Sequence, residues 1–315
     1  MSSDVREHLH PTPREVEPTR RRLLFAVLLT ATVFLAELLG GLWTRSLALL
    51  SDAAHVFTDL VALLLSFGAA IVASRPVSKE RTFGWHRAEV LAALVNGLLL
   101  LGVSAFLVRE ALLRLQNPPD VRVSGMFAVA VVGLAANGII AFRLRGHARH
   151  DLNLRSAYLH VMADFAGSVG VVIAALIMLP TGWYIVDPIL GMAIALVVCA
   201  GAVRLLAETT HILLEGVPSH IDLREVAETI RSVPGVDDLH DLHIWTICSS
   251  LLALSVHITV GDRTAVARDE IVKAVNDQLR LKYRIIETTI QTEREPCRTT
   301  ELIHLVSHPS EEDAP

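Results

Sequence analysis

The sequence predicts an α-helical membrane protein, with six transmembrane helices followed by a small α+β domain of order αββαβ. Three observations predict it. The 315 residues are 52% hydrophobic and 19% charged, with a mean hydropathy of +0.48, whereas soluble domains carry about 25% charge. The charge is uneven: residues 1–214 hold 18 Lys and Arg against 15 Asp and Glu, and residues 215–315 hold 10 against 18. The first part contains apolar runs of the roughly 20 residues that a helix needs to cross the hydrocarbon core, and the last part does not.

The candidate spans are 23–43, 47–73, 89–115, 123–143, 156–179 and 183–206. Each break has a local cause. Thr44-Arg45-Ser46 interrupts the first pair, Arg75-Pro76 opens a polar loop through Arg81, and Asn117-Pro118-Pro119-Asp120 forms a turn. Arg143 to Arg155 is a basic loop, and Pro180-Thr181-Gly182 divides the last pair. Arg20, Arg21 and Arg22 precede the first span. Arg75, Lys79, Arg81 and Arg87 flank the second loop, and Arg143, Arg145, Arg149 and Arg155 the fourth. By the positive-inside rule both termini and the even loops face the cytoplasm. No cleavable signal is read, because the first 22 residues are polar and broken by Pro. Cys199, Cys248 and Cys297 stand far apart and form neither a disulfide framework nor a Cys-rich metal module.

The C-terminal part reads differently. Ile221–Val233 is helical in pattern and Pro234-Gly235 is a turn. Val236–Ile247 and Leu251–Val260 have strand features, the second alternating Leu252, Leu254, Val256, Ile258 and Val260. Thr264–Leu281 sets Ile271, Val275 and Leu279 on one helical stripe, and Ile285–Glu293 is a third strand. The expected domains are an N-terminal tail (1–20), a membrane domain (21–214), a soluble domain (215–297) and a loose tail (298–315).

The chemistry is carried by ionisable residues inside the spans. An Asp at a helix centre costs about 2.5–3.5 kcal/mol on insertion scales. The second span contains His55-Val56-Phe57-Thr58-Asp59 and the fifth His160-Val161-Met162-Ala163-Asp164, both His-x-x-x-Asp. Residues four apart share a helix face, so each helix offers one imidazole nitrogen and one carboxylate oxygen. Two such helices facing each other supply four N/O ligands, which suits tetrahedral Zn²⁺. Imidazole disfavours Mg²⁺ and Ca²⁺, and no Cys or Met is among these four ligands, which argues against Cu(I). Asp52, seven residues before Asp59, is a candidate supporting partner or pathway residue. Glu37, Asn96 and Asn137 are expected to satisfy interhelical hydrogen bonds. Asp187-Pro188 is expected to cap the sixth span, with Pro in its first turn.

Together with Ser51-Asp52-Ala53-Ala54-His55, Phe83-Gly84-Trp85-His86-Arg87 and Leu242-His243-Ile244-Trp245, these paired motifs make the chain resemble the cation diffusion facilitator family of zinc transporters over residues 20–297. The resemblance implies six spans, a cytosolic ferredoxin-like domain and a homodimer that exchanges Zn²⁺ outward for H⁺ inward, with His55, Asp59, His160 and Asp164 as transport ligands. It implies that His in the first ligand position favours Zn²⁺, with Cd²⁺ as passenger. It also implies a charge pair between protomers at Arg87 and Glu215. Relatives carry a cytosolic metal cluster whose counterparts here are His240 and His257, with Gln291 and Glu293 on the last strand. His240, His257 and Glu293 are therefore candidates for a regulatory metal site, against the reading of a sheet surface at a dimer interface. His240 and His243, three apart on a strand, are expected to face opposite sides unless a bulge intervenes. No accessory site is expected in the loop Ser78-Lys79-Glu80-Arg81, which has only His86 nearby. His147 and His150, beside Arg145 and Arg149, belong to a basic loop that suits acidic headgroups or sets topology, and His8 and His10 to an inert tail.

Metal binds only deprotonated ligands, so a site with two imidazoles can trade metal for protons near neutral pH. The expected function is a secondary active exporter in a bacterial inner membrane, with Zn²⁺ and H⁺ as its ions, the lipid bilayer as its setting, no cofactor and no nucleic-acid partner. An intramembrane protease is excluded by the lack of His-Glu-x-x-His. The alternatives are transport of Co²⁺, Fe²⁺ or Mn²⁺, or a metal sensor or scaffold that does not transport.

Overall fold

Long uninterrupted apolar stretches, bounded by residues that cannot continue a helix, give six long helices in the computed structural model, which describes residues 13–145, 152–248 and 251–295. They are α1 (Pro13–Thr44), α2 (Leu47–Ala73), α3 (Ala88–Gln116), α4 (Val123–Arg145), α5 (Leu152–Thr181) and α6 (Val186–Leu213). Among the described residues, α2 to α6 are long and apolar enough to cross a membrane, and α1 adds the shorter apolar stretch Leu29–Thr44. Of the expected N-terminal tail (1–20), residues 13–20 belong to α1 instead; residues 1–12, the C-terminal tail 298–315 and the loop histidines His147 and His150 lie outside the described residues.

The helix ends differ most from the sequence expectation in α1, α5 and α6. The first helix begins at Pro13 rather than residue 23. Pro180 lies inside α5, in its last turn. The helix stops two residues later, where Gly182 takes φ +66 and donates its N–H to the Met178 carbonyl. The sixth helix starts at Val186 instead of residue 183 and continues to Leu213.

The chain divides into two compact units. The first contains residues 1–64 and 96–204. Its core is built from small residues that let helices approach closely: Ala48, Ala130, Ala174 and Ala175 pack with Leu49, Met126, Val171 and Met178. Large apolar side chains such as Leu63, Phe106 and Phe142 remain exposed, as lipid-facing positions require. Trp43 and Trp183 are also exposed near the ends of helices, where aromatic side chains suit the membrane interface.

The second unit holds residues 65–95 and 205–315. Its αββαβ portion consists of α7 (Leu223–Arg231), β1 (Asp238–Cys248), β2 (Leu251–Thr259), α8 (Ala265–Tyr283) and β3 (Glu287–Glu293). The sheet order is β1-β2-β3, with β1 and β2 antiparallel and β2 and β3 parallel. Asp222 caps α7 by accepting the Arg224 N–H, and Thr264 caps α8 by accepting that of Ala267. The C-terminus of α8 closes through Arg284 at φ +57, with Arg284 N–H on the Arg280 carbonyl and Ile285 N–H on that of Leu279. The two helices and one sheet face enclose a core of Val226, Ile230, Leu239, Leu242, Ile244, Leu254, Val256, Ile258, Val275 and Leu279. The opposite face carries the polar residues discussed below.

Candidate metal centre

The i,i+4 spacing does what helix geometry predicts and places His55 with Asp59 on α2 and His160 with Asp164 on α5. His55 Nδ1 lies 3.7 Å from Asp59 Oδ2, and His55 Nε2 lies 3.6 Å from Asp164 Oδ1. His160 Nε2 lies 3.3 Å from Asp59 Oδ2 and 3.9 Å from Asp164 Oδ2. The two imidazole centroids are 5.9 Å apart. His55 Nδ1, Asp59 Oδ2 and Asp164 Oδ1 are buried without a hydrogen-bond partner. Two ligands each about 2.0–2.2 Å from one tetrahedral ion stand roughly 3.3–3.6 Å apart; two of the four separations fall in that range and the other two, 3.7 and 3.9 Å, are slightly wider. His55 turns a different nitrogen to each carboxylate, and closing on a single ion requires a rotation of its ring.

The tetrad borders a cavity of about 510 Å³, lined by Asp52, His55 and Asp59 and otherwise by small or aliphatic residues of α3, α5 and α6. Asp164 is buried, while the His160 side chain is 48% exposed, so among the described residues the site is uncovered on one side. Asn137 Nδ2 donates to Ser168 Oγ at 3.3 Å, the interhelical bond expected of it. Glu37 Oε2 and Asn96 Oδ1, for which the same was expected, are buried with no partner.

Asp187 departs from its expected role. It is fully buried, and its carboxylate serves α2 instead of its own helix. It accepts from Ser46 Oγ at 2.5 Å, from Leu47 N at 2.6 Å and from Ala48 N at 3.2 Å. The N-terminus of the helix bearing His55 and Asp59 is thus capped from α6. A cap contributed by a distant segment has no local signature in sequence.

In the second unit a β-bulge between His240 and His243, with Asp241 at φ +54, changes the phase of β1. The partners of His240 and His243 are His257 and Ser255, two apart on β2. Both histidines therefore share the sheet face opposite the core, contrary to the expectation for an unbroken strand. The same bulge turns Leu239 and Leu242 together into the core. His240 Nε2 is 3.3 Å from Glu293 Oε2, and His257 Nδ1 is 3.2 Å from Glu293 Oε1. These three residues hold one ligand atom each within 4.8 Å of the others. Gln291 Nε2 donates to Glu293 Oε1 at 2.7 Å. Asp241, which sequence reasoning did not single out, bonds His243 Nε2 at 3.0 Å and stands 3.9 Å from His257 Nε2. Arg87 Nη2 and Glu215 Oε1 meet at 2.9 Å within one chain.

Comparison with known proteins agrees with this architecture. Residues 23–214 match the cation efflux transmembrane domain, and residues 218–295 the cytoplasmic domain of cation efflux proteins. The chain belongs to the cation efflux family. As a member of that family, also called cation diffusion facilitators, it is a multi-pass membrane transporter of metal cations and not an enzyme. It is 44% identical to the metal cation efflux system protein CzcD of Cupriavidus metallidurans, over 92% of this chain and 90% of that protein. It is 40% identical to the zinc transporter ZitB of Escherichia coli, over 88% of each. It is 37% identical to the cadmium, cobalt and zinc/H(+)-K(+) antiporter of Bacillus subtilis, over 88% of this chain and 89% of that one. A solved metal-bound C-terminal domain of the CzcD transporter matches at 36% identity and a TM-score of 0.22, covering 23% of this chain and 99% of that chain.

Proposed function

We propose that this cation efflux protein exports Zn²⁺, with Cd²⁺ as a secondary substrate, in exchange for protons by alternating access. The observation that carries the reading is the pair of His–Asp helices converging at 3.3–3.9 Å around unpartnered ligand atoms beside a cavity. Two imidazoles and two carboxylates form an N₂O₂ set suited to Zn²⁺. These ligands hold the metal only when deprotonated, so protons and metal compete for one site and each drives the other out. Alternation between two openings of the cavity then couples the flows. The names of the relatives agree: one is a zinc transporter, and another exchanges cadmium, cobalt and zinc for protons and potassium.

On this reading the protein works as a homodimer in a bacterial inner membrane with both termini cytoplasmic. His240, His257 and Glu293 form a regulatory metal site in its cytosolic domain, and Asp241 is within reach of that cluster. The test is flux into proteoliposomes under an imposed pH gradient, with Zn²⁺, Cd²⁺, Co²⁺ and Mn²⁺ compared. Zn²⁺ uptake that depends on the proton gradient and vanishes in Asp59→Ala and Asp164→Ala is the expected result. Full flux in those variants refutes the site. Metal binding without flux in the wild-type protein favours a sensor.

A further inference from the structure

Asp52 stands three residues before His55 on α2, about 4.5 Å along the helix axis. Its carboxylate lies over α5 at Gly167, where a Cβ would come within 3.1 Å of Asp52 Oδ1. Gly167 is in turn three residues beyond Asp164. Because α2 and α5 run in opposite directions, both offsets point to the same end of the bundle, the end carrying the α1–α2 and α5–α6 connections. The cavity is continuous in that direction, from Asp59 and His55 past Asp52 to Gly170 and Leu190. Asp52 is only 4% exposed. Among the described residues it has neither a hydrogen bond nor an ion pair, and apart from the two tetrad residues the lining is apolar, small or aliphatic. A buried acid without a partner carries a desolvation cost, and among the described residues no donor or cation offsets it.

We infer that Asp52 is a transient ligand for the transported divalent cation, the next point of contact after the tetrad on the way to that end of the bundle. The inference rests on the tetrad being the transport site. A single carboxylate completed by water binds Zn²⁺ far more weakly than an N₂O₂ set, and a pathway needs this: the ion is drawn out of the tetrad and not trapped again. Gly167 belongs to the same device, since any side chain there would press on the carboxylate and narrow its access to the cavity.

The test separates binding from movement in full-length protein. Zn²⁺ affinity is measured in detergent by competition with a chromophoric chelator, and Zn²⁺ flux is measured in proteoliposomes. Asp52→Asn preserves shape and removes the charge. It is expected to leave affinity and KM within about threefold of wild type and to lower Vmax at least about tenfold, or about 1.4 kcal/mol in the barrier. Asp52→Glu, which keeps a carboxylate, is expected to recover part of the flux, and Gly167→Ala to lose part of it with affinity unchanged. Flux of Asp52→Asn within twofold of wild type overturns the proposal. Joint loss of affinity and flux also overturns it, because Asp52 would then act on the tetrad itself. His55→Ala checks the tetrad separately. If that variant binds and moves Zn²⁺ normally, the tetrad reading fails and the place given to Asp52 after it fails too; if His55→Ala loses binding while Asp52→Asn keeps both affinity and flux, the tetrad stands and only the Asp52 proposal falls.

Discussion

Replacing Asp187 by Ala removes a fully buried carboxylate and leaves its three donors behind. The Ser46 hydroxyl can find another acceptor by rotating, but the Leu47 and Ala48 N–H groups cannot. They belong to residues 1% and 0% exposed, in the first turn of α2, where no intrahelical acceptor exists. A buried donor left without a partner costs about 1–3 kcal/mol, so two cost roughly 2–6 kcal/mol. Part of this is offset because the variant no longer buries a charge, leaving an expected loss of about 3 kcal/mol. At about 2–4 °C per kcal/mol for a chain of this class, the unfolding midpoint of purified protein should fall by about 6–12 °C. Intrinsic fluorescence follows the unfolding, and two of the four tryptophans, Trp43 and Trp183, lie a few residues from Ser46 and Asp187 in the chain. Asp187→Asn keeps one acceptor oxygen and should lose about half as much. Gly191→Ala tests the same contact from α6, since a Cβ there would stand 3.1 Å from the Leu47 carbonyl carbon and 3.2 Å from the Ala48 nitrogen. Combined with Asp187→Ala it should cost less than the sum of the two, because both break one junction. A midpoint for Asp187→Ala within 2 °C of wild type would refute the reasoning.

Three further outcomes are expected. In Gly133→Ala the new methyl would stand 2.7 Å from Glu37 Oε1, so the variant should unfold at lower temperature. Adding Glu37→Ala should restore part of the loss, which a thermal shift on the double variant measures. Arg263 grips Asp237 through both guanidinium nitrogens at 2.9 and 3.2 Å and holds its carboxyl below the usual range. A carboxyl lowered in the folded state stabilises above its unfolded value near pH 4, and that contribution is lost as pH falls through the folded value. Arg263→Gln should flatten this part of the acid unfolding profile. Zn²⁺ at about 100 times its dissociation constant should stabilise the cytosolic site by about 2.7 kcal/mol, and Glu293→Gln should abolish the part of the Zn²⁺-induced thermal shift that persists in Asp164→Ala protein.

Local rules carried the reading of this chain a long way, and the failures have a common cause. The spans follow from apolar run length, and the His–Asp pairs meet because 3.6 residues per turn brings i and i+4 together. The alternation of Leu252, Leu254, Val256 and Ile258 follows the inward face of β2. The Asp187 cap joins residues about 140 positions apart, and the bulge at Asp241 reverses a prediction that assumed an unbroken period of two. Asp tolerates the left-handed region better than most residues, but a lone Asp in a strand does not announce a bulge. Pro180 marks the end of α5 correctly to within a residue or two. It forfeits the bond from residue 180 to the Leu176 carbonyl, and Gly182 ends the helix directly after it. The unpaired oxygen of Glu37 depends on what α4 and α5 place around it and has no correlate in the sequence of α1.

The two ligand clusters differ in a way that bears on how long each would keep an ion. In the cytosolic cluster the His240 and Glu293 side chains are 5% exposed, and each imidazole already stands 3.2–3.3 Å from a Glu293 oxygen. Little has to move when an ion arrives, and departure leaves a buried carboxylate facing two imidazoles. The membrane tetrad is looser. Its side chains are 7–48% exposed, His55 must turn to bring one nitrogen to a shared point, and a cavity lies against it. Preorganisation raises affinity by lowering the cost of ordering, so the cytosolic cluster is suited to retention and the tetrad to turnover. A transport site as closed as the cytosolic one would bind well and release slowly. Bringing His55 into a fixed orientation, by packing a larger side chain at Ala163 in the cavity wall, should therefore raise equilibrium Zn²⁺ affinity and lower flux. A variant that binds more tightly and also transports faster would contradict this account of the site.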